Sequence, residues 1–373
     1  MKYTQRSLEL NNQFQLGTNM QLLASNIEIQ FHNFTSSYIE PELENYNVSF
    51  QDKTVSENTS FVYPVFKPKN RTKSNKAILL LHGLNERSWS KYLTWAEYLC
   101  EKTNKTVVLF PLAFHMNRSP QSWWNPRDLK TKLELRRLKN GEDRALSFAN
   151  LTFSERICEQ PYRFYNSGKQ SLNDLNQLVS TIKNGSHHAF SENTEIDIFA
   201  YSIGAFLAEI TMMTNYNQLF SDSKLFLFCG GGVFSAMFGK SRCIMDNKAY
   251  EQLFDYYQHK FSTETKNTRF GDKAIEWFNC MISPERSKLA REQFFSKMRH
   301  KLSGISLLND KVMPYYGIAE ALGQELAETK IKQLDFNFDY SHENPFPIGK
   351  FVDAAKVDIA FATTFDEASE FLR

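Results

Sequence analysis

A chain of 373 residues can bury one large core, and 42% hydrophobic against 23% charged residues is the balance of a globular protein rather than a disordered or fibrous one. Its 44 basic and 42 acidic side chains nearly cancel, so no global field draws it to nucleic acid or to an anionic membrane, and its partners have to be read from a site. Five widely spaced cysteines, odd in number and without a C-x-x-C pair, argue against a disulfide framework and a zinc site and read as reduced core residues.

The opening "MKYTQRSLELNNQFQLG" lacks the apolar run of a signal peptide, and nowhere do ~18 apolar residues follow one another. The expectation is a soluble, cytoplasmic protein. Residues 1–59 read as an N-terminal extension with outer strands; a short alternating run at 27–31, and another at 60–66 just past the extension, look like outer strands. Residues 60–373 read as the main domain. It begins in earnest at "KAILLLHG", whose unbroken apolar run predicts a strand buried on both faces, the habit of parallel sheets. A helix over 89–101 and the strand "TVVLFPL" follow; then come a helix over 171–183, a strand over 196–200, a helix over 203–213 and the strand "KLFLFCGGG". "LSGISLLND" and "IKQLDFNFDYSH" add two strands with a helix over 316–328 between them. Such alternation predicts a doubly wound, mostly parallel α/β sheet, whose ligands bind at the carboxyl ends of the strands. Two stretches, 113–168 and 233–300, are too long for connections and carry helical spacing of their own, so they are expected to be inserted caps roofing a pocket.

Between a β-like and a helix-like run, "EIDIFAYSIGAFLAEI" places Ser202 with small residues, Ala200 and Gly204, two positions to either side. A sharp strand-to-helix turn that exposes a serine brings strand and helix so close that bulky neighbours would clash. A serine hydroxyl needs a base, and the base a carboxylate to orient it. Of eight histidines, His187 and His188 lie in a polar connector and His32, His259 and His300 in polar or lysine-rich surroundings, which read as solvated. His342, in "DYSHENPFP" just after the last strand, would point over the carboxyl edge of the sheet. Asp310 ends the strand "ISLLND", where an aspartate is also a common turn or cap residue. Ser202, Asp310 and His342 occur in the order nucleophile, acid, base, each directly after a strand.

With these residues in place the chain resembles the α/β-hydrolase superfamily, in its serine esterase and lipase-like branch with an A-x-S-x-G nucleophile elbow. The resemblance runs from about residue 60 to the C-terminus, on "LLLHGL", "AYSIGA", "NDKVMP" and "YSHENP". It implies that Ser202, Asp310 and His342 are catalytic, and that the backbone N–H of Ile203 pairs with that of Leu84, or less readily Asn85, as an oxyanion hole. By the same resemblance His82 holds its loop rather than titrating, no metal or organic cofactor is needed, and a serine at the elbow disfavours the dehalogenases and epoxide hydrolases.

In "FHMNRSPQSWWNPRD", Phe114, His115, Trp123, Trp124 and Arg127 follow a strand end. Phe114, Trp123 and Trp124, with Asn85, read as a substrate pocket wall; packing of the insertion onto the sheet explains them as well. "DLKTKLELRRLKNGEDR" reads as a solvated helix, and "CGGGVF", without a Gly-Lys-Ser/Thr ending, as backbone packed beside Ser202. The expected activity is that of a serine hydrolase cleaving a carboxylic ester or related acyl compound through an acyl-enzyme. The rivals are an amidase or peptidase with the same triad and a non-catalytic binding scaffold. The expected partner is a small acyl substrate, not nucleic acid or membrane; oligomeric state is not legible.

Overall fold

The computed structural model describes residues 1–38, 50–266 and 272–373. Parts of the N-terminal extension and of the 233–300 stretch therefore lie outside the described residues. The described chain builds one nine-stranded sheet in the order β1-β2-β3-β5-β4-β6-β7-β8-β9. β1 (Met20–Gln21), β2 (Ile27–Thr35) and β3 (Ser60–Pro68) form an antiparallel margin, and β3 pairs antiparallel with β5 (Thr106–Leu109). From β5 onward every pairing is parallel, through β4 (Ser74–Leu81), β6 (Phe190–Tyr201), β7 (Leu225–Phe228), β8 (Leu302–Leu307) and β9 (Ile331–Leu334). This is the doubly wound, mostly parallel sheet expected from the sequence.

The central strands are apolar throughout because both faces are covered. On β4, Ala77, Leu79 and Leu81 join the core on one face while Ile78 and Leu80 join the core on the other. The first core packs under the helices Arg163–Lys183 and Ile203–Thr214 and the second under Ser90–Thr103 and Ala354–Leu372. Two helices beyond those expected, Tyr3–Gln13 and Ala354–Leu372, close the second face, with the rings of Tyr3 and Phe361 stacked at 4.2 Å.

Three readings need correction. The helix predicted over 171–183 begins at Arg163, because Phe164 and Tyr165 continue its apolar face. The last strand stops at Leu334. The alternating Phe336, Phe338 and Tyr340 beyond it lie at the sheet's edge and stack on one another and on Phe346 instead of pairing. His187 is buried rather than solvated: its Nε2 meets the Tyr63 hydroxyl at 2.7 Å and its ring packs on His32 and Phe190. Burial lowers the pKa of both His187 and His32 to about 4, so they act as neutral packing groups. Among the described residues no helix is long and apolar enough to cross a membrane.

Candidate active site

The turn after β6 carries Ser202 at φ 58° and ψ −125°, a conformation that costs an L-residue about 1–3 kcal/mol and persists only where the surroundings impose it. Here they do. A Cβ on Gly204 would lie 2.8 Å from the backbone of Leu81 and His82, and one on Gly230 would lie 2.5 Å from the Ser202 carbonyl oxygen. The glycines of "CGGGVF" thus pack against the serine turn. Alternation along β6 turns Ala200 into one core and Tyr201 into the other, which leaves Ser202 at the sheet's carboxyl edge.

His342 arrives from beyond β9 and Asp310 from the end of β8. Ser202 Oγ lies 2.7 Å from His342 Nε2, and His342 Nδ1 lies 2.7 Å from Asp310 Oδ2. All three are buried, at 2%, 4% and 5% exposure, so little solvent competes for these bonds. The Asp310 carboxylate can only accept, so Nδ1–H donates to it and Nε2 is left to accept the serine proton. The other oxygen, Oδ1, accepts from the backbone N–H groups of Val312 and Met313, which fixes the carboxylate plane. Asp335, another acid nearby in sequence, is engaged by Asn309 and Tyr340 instead.

Sequence reasoning passed over what holds His342 in place. The Tyr201 ring stacks on the imidazole at 5.4 Å between centroids and 15° between planes, and its hydroxyl donates to the His342 carbonyl oxygen. Lys91 Nζ sits 4.8 Å over the Tyr201 ring and donates to the Glu343 carbonyl. Tyr201 could have been found by its place next to Ser202; Lys91, more than a hundred residues earlier, left no signal. Beside Asp310, Cys229 is buried, and desolvation, with the neighbouring carboxylate, pushes its thiol pKa well up, so it stays a neutral thiol.

The loop after β4 is rigid. His82 Nδ1 meets the Gly83 carbonyl at 2.9 Å and Nε2 accepts from the Leu112 N–H, and complete burial lowers its pKa to about 3. It is a neutral brace. Gly83 N–H donates to the Tyr92 hydroxyl, which donates to Glu86. Asn85, at φ 59°, gives its amide to the carbonyls of Ala149 and Cys243, so it ties this loop to both long stretches. Neither the Leu84 nor the Ile203 N–H has an acceptor among the described residues. As the first residue of its helix, Ile203 has no intrahelical acceptor to donate to.

Ser202, Leu84 and Ile203 border a cavity of about 440 Å³, counting its mouth, with a mainly apolar wall that includes Phe164, Met237, Leu253 and Met313. Residues 234–254 supply most of that wall. A second apolar cavity of about 590 Å³ also borders Leu84 and Ile203. Phe114, Trp123 and Asn85 line neither of these; they border a third cavity. Trp124 is among the exposed side chains and is absent from the Ser202 cavity wall, because its end of the segment faces outward. Arg127 opens the helix Pro126–Asn140, where its N–H caps on Asn125, and this helix has the polar surface expected of it. Among the described residues no cluster of His, Cys, Asp and Glu is arranged to hold a metal ion.

The fold has known counterparts. A serine-to-alanine mutant of the esterase rPPE, complexed with (S)-Ac-CPA, matches at TM-score 0.52 and 10% identity, over 100% of this chain and 97% of that one. Carboxyl esterase 2 from the fungus Tuber melanosporum matches at TM-score 0.46 and 9% identity, over 99% and 97%. An esterase from Pyrobaculum calidifontis matches at 0.41 and 11%, over 100% and 90%. The first likeness, with the sheet order above, makes this an α/β-hydrolase fold. No curated protein matches the sequence. One family does, over residues 1–373, and the chain with this serine turn and this fold belongs to it: the family of unknown function DUF6051.

Proposed function

We propose that the protein is a serine hydrolase that cleaves a carboxylic ester or related acyl compound through an acyl-enzyme. As Ser202 Oγ attacks the acyl carbon, its proton passes to His342 Nε2, and the carbonyl oxygen becomes an anion held by the N–H groups of Ile203 and Leu84. His342 then gives that proton to the leaving oxygen, the carbon–oxygen bond breaks, and the acyl group remains on Ser202. Water repeats the sequence and frees the acid. Asp310 keeps the imidazole in the tautomer that accepts from serine.

The observation that carries this reading is the pair of 2.7 Å contacts linking Ser202, His342 and Asp310. The two unpaired N–H groups beside the same cavity and its apolar wall support it. Labelling by a fluorophosphonate probe tests it, together with turnover of an activated short-chain ester. Wild type should label and turn over, and Ser202→Ala should do neither while keeping its melting temperature within a few degrees. A wild-type protein that resists the probe and hydrolyses neither esters nor amides would make the binding scaffold the better account.

A further inference from the structure

The third cavity, about 410 Å³ counting its mouth, differs in chemistry from the two beside it. Arg87, Arg156 and Arg163 border it, with Phe114 and Trp123. It adjoins the second apolar cavity along Ala113, His115, Phe164 and Ser167, and that cavity reaches Leu84 and Ile203. Three arginines in one concavity are costly unless something balances them.

The described residues balance them only in part. Asp52 is shared by Arg156 at 2.6 Å and Arg163 at 2.7 Å, and Arg163 also pairs with the half-exposed Glu159. Arg87 has no carboxylate partner among the described residues: its Nη atoms bond the Phe114 carbonyl, the Ser119 hydroxyl and the Asn85 side chain, all neutral acceptors. Burial, and behind it the nearby Arg156 cation, lowers its pKa to about 10, still cationic at neutral pH. Two donor nitrogens, Arg87 Nε and Arg163 Nη2, are buried without any acceptor, and Arg163 as a residue is 7% exposed. A buried donor left unpaired is costly, and more so when it is charged.

The guanidiniums are also held rigid. Arg156 lies 4.2 Å over the Trp123 ring and 4.9 Å over Phe114, and those rings stack on each other. His115, neutral because burial drives its pKa well down, gives its Nδ1–H to Ala113 and has no partner at Nε2. That nitrogen is an acceptor, so it adds no positive charge, and the anion's place is on the arginine side.

We infer that this cavity is an anion subsite for the substrate, in which Arg87, with Arg156 and Arg163, receives a carboxylate at the far end of the molecule whose acyl carbon meets Ser202. Among the described residues, three cations against Asp52 and Glu159 leave one charge uncompensated, which suits a singly charged carboxylate better than a phosphate dianion. The planar guanidinium fork matches that group's two oxygens. The substrate class is therefore an ester carrying a carboxylate separated from the acyl carbon by an apolar spacer. This rests on the hydrolase reading above.

The test compares charged and neutral partners on each side of the ester: monomethyl adipate against methyl hexanoate, and 6-acetoxyhexanoate against hexyl acetate. Wild type should favour the charged member of one pair by about tenfold to a hundredfold in kcat/KM, the range expected of a charge-assisted contact. Arg87→Gln should collapse that ratio, and Arg87→Lys should keep part of it. The subsite is overturned, with the hydrolase intact, if wild type favours neither charged ester, or if Arg87→Gln leaves the ratio as it was. If no ester is cleaved and the fluorophosphonate does not label, the hydrolase reading fails separately. Calorimetry with monomethyl adipate then decides the subsite. Saturable binding weakened about tenfold or more by Arg87→Gln sustains it, and absent or unaltered binding overturns it.

Discussion

Replacing Asp310 by asparagine isolates the carboxylate's effect on the histidine from its effect on the fold. Oδ1 accepts from the N–H groups of Val312 and Met313, at 2.9 and 2.8 Å, and an amide oxygen can do the same. That pins the new NH₂ where Oδ2 stood, 2.7 Å from His342 Nδ1. A donor there makes Nδ1 the acceptor and moves the ring proton to Nε2, so Nε2 can no longer take the serine proton. Loss of the working tautomer is worth about 10⁴-fold in kcat. Stability should change by less than about 1 kcal/mol, because the number of hydrogen bonds is kept. Asp310→Ala, by contrast, strips the acceptor from two buried N–H groups and should cost roughly 1–3 kcal/mol for each. Turnover of an activated ester and a thermal melt on the same samples separate the two effects. Asp310→Asn with kcat within about tenfold of wild type and an unchanged melt would refute the tautomer assignment.

Two further substitutions probe what surrounds the site. Gly230→Ala would place a methyl 2.5 Å from the Ser202 carbonyl oxygen and 2.9 Å from its nitrogen, both backbone atoms that cannot yield. It should destabilise by about 3 kcal/mol or more in chemical denaturation and lower fluorophosphonate labelling; a wild-type denaturation midpoint would show that the turn is not clamped there. Glu209 is fully buried with neither carboxyl oxygen partnered among the described residues, and desolvation raises its pKa well above the ordinary 4.5. The folded state then holds a proton that the unfolded chain releases, so this group's contribution to stability is full below about pH 4.5 and is lost as pH rises through the folded value. Glu209→Gln should therefore flatten the fall in melting temperature as pH rises above the ordinary 4.5, and parallel curves for the two proteins would refute it.

The sequence by itself determined the sheet and the placing of three chemical groups along it. Runs such as Ile78 to Leu81 are apolar at every position, and that pattern survives only where both faces of a strand are covered, so a parallel sheet was legible without coordinates. The small residues around Ser202 were legible too, because a turn this tight excludes side chains at Gly204 whatever the rest of the chain does. What no window of sequence contains is distance between segments. The stack of Tyr201 on His342, the loop pin from Asn85 to Ala149 and Cys243, and the neutral burial of His187 each join residues that local pattern treats separately. The alternating aromatics after Leu334 show the converse: their period is that of a strand, but a strand needs a partner's hydrogen bonds, and at the sheet's edge those rings pack on one another instead. Only the tertiary structure set Arg87 beside Arg156 and Arg163 with too few carboxylates among the described residues to balance them, since charge balance is a property of a volume and not of a stretch of chain.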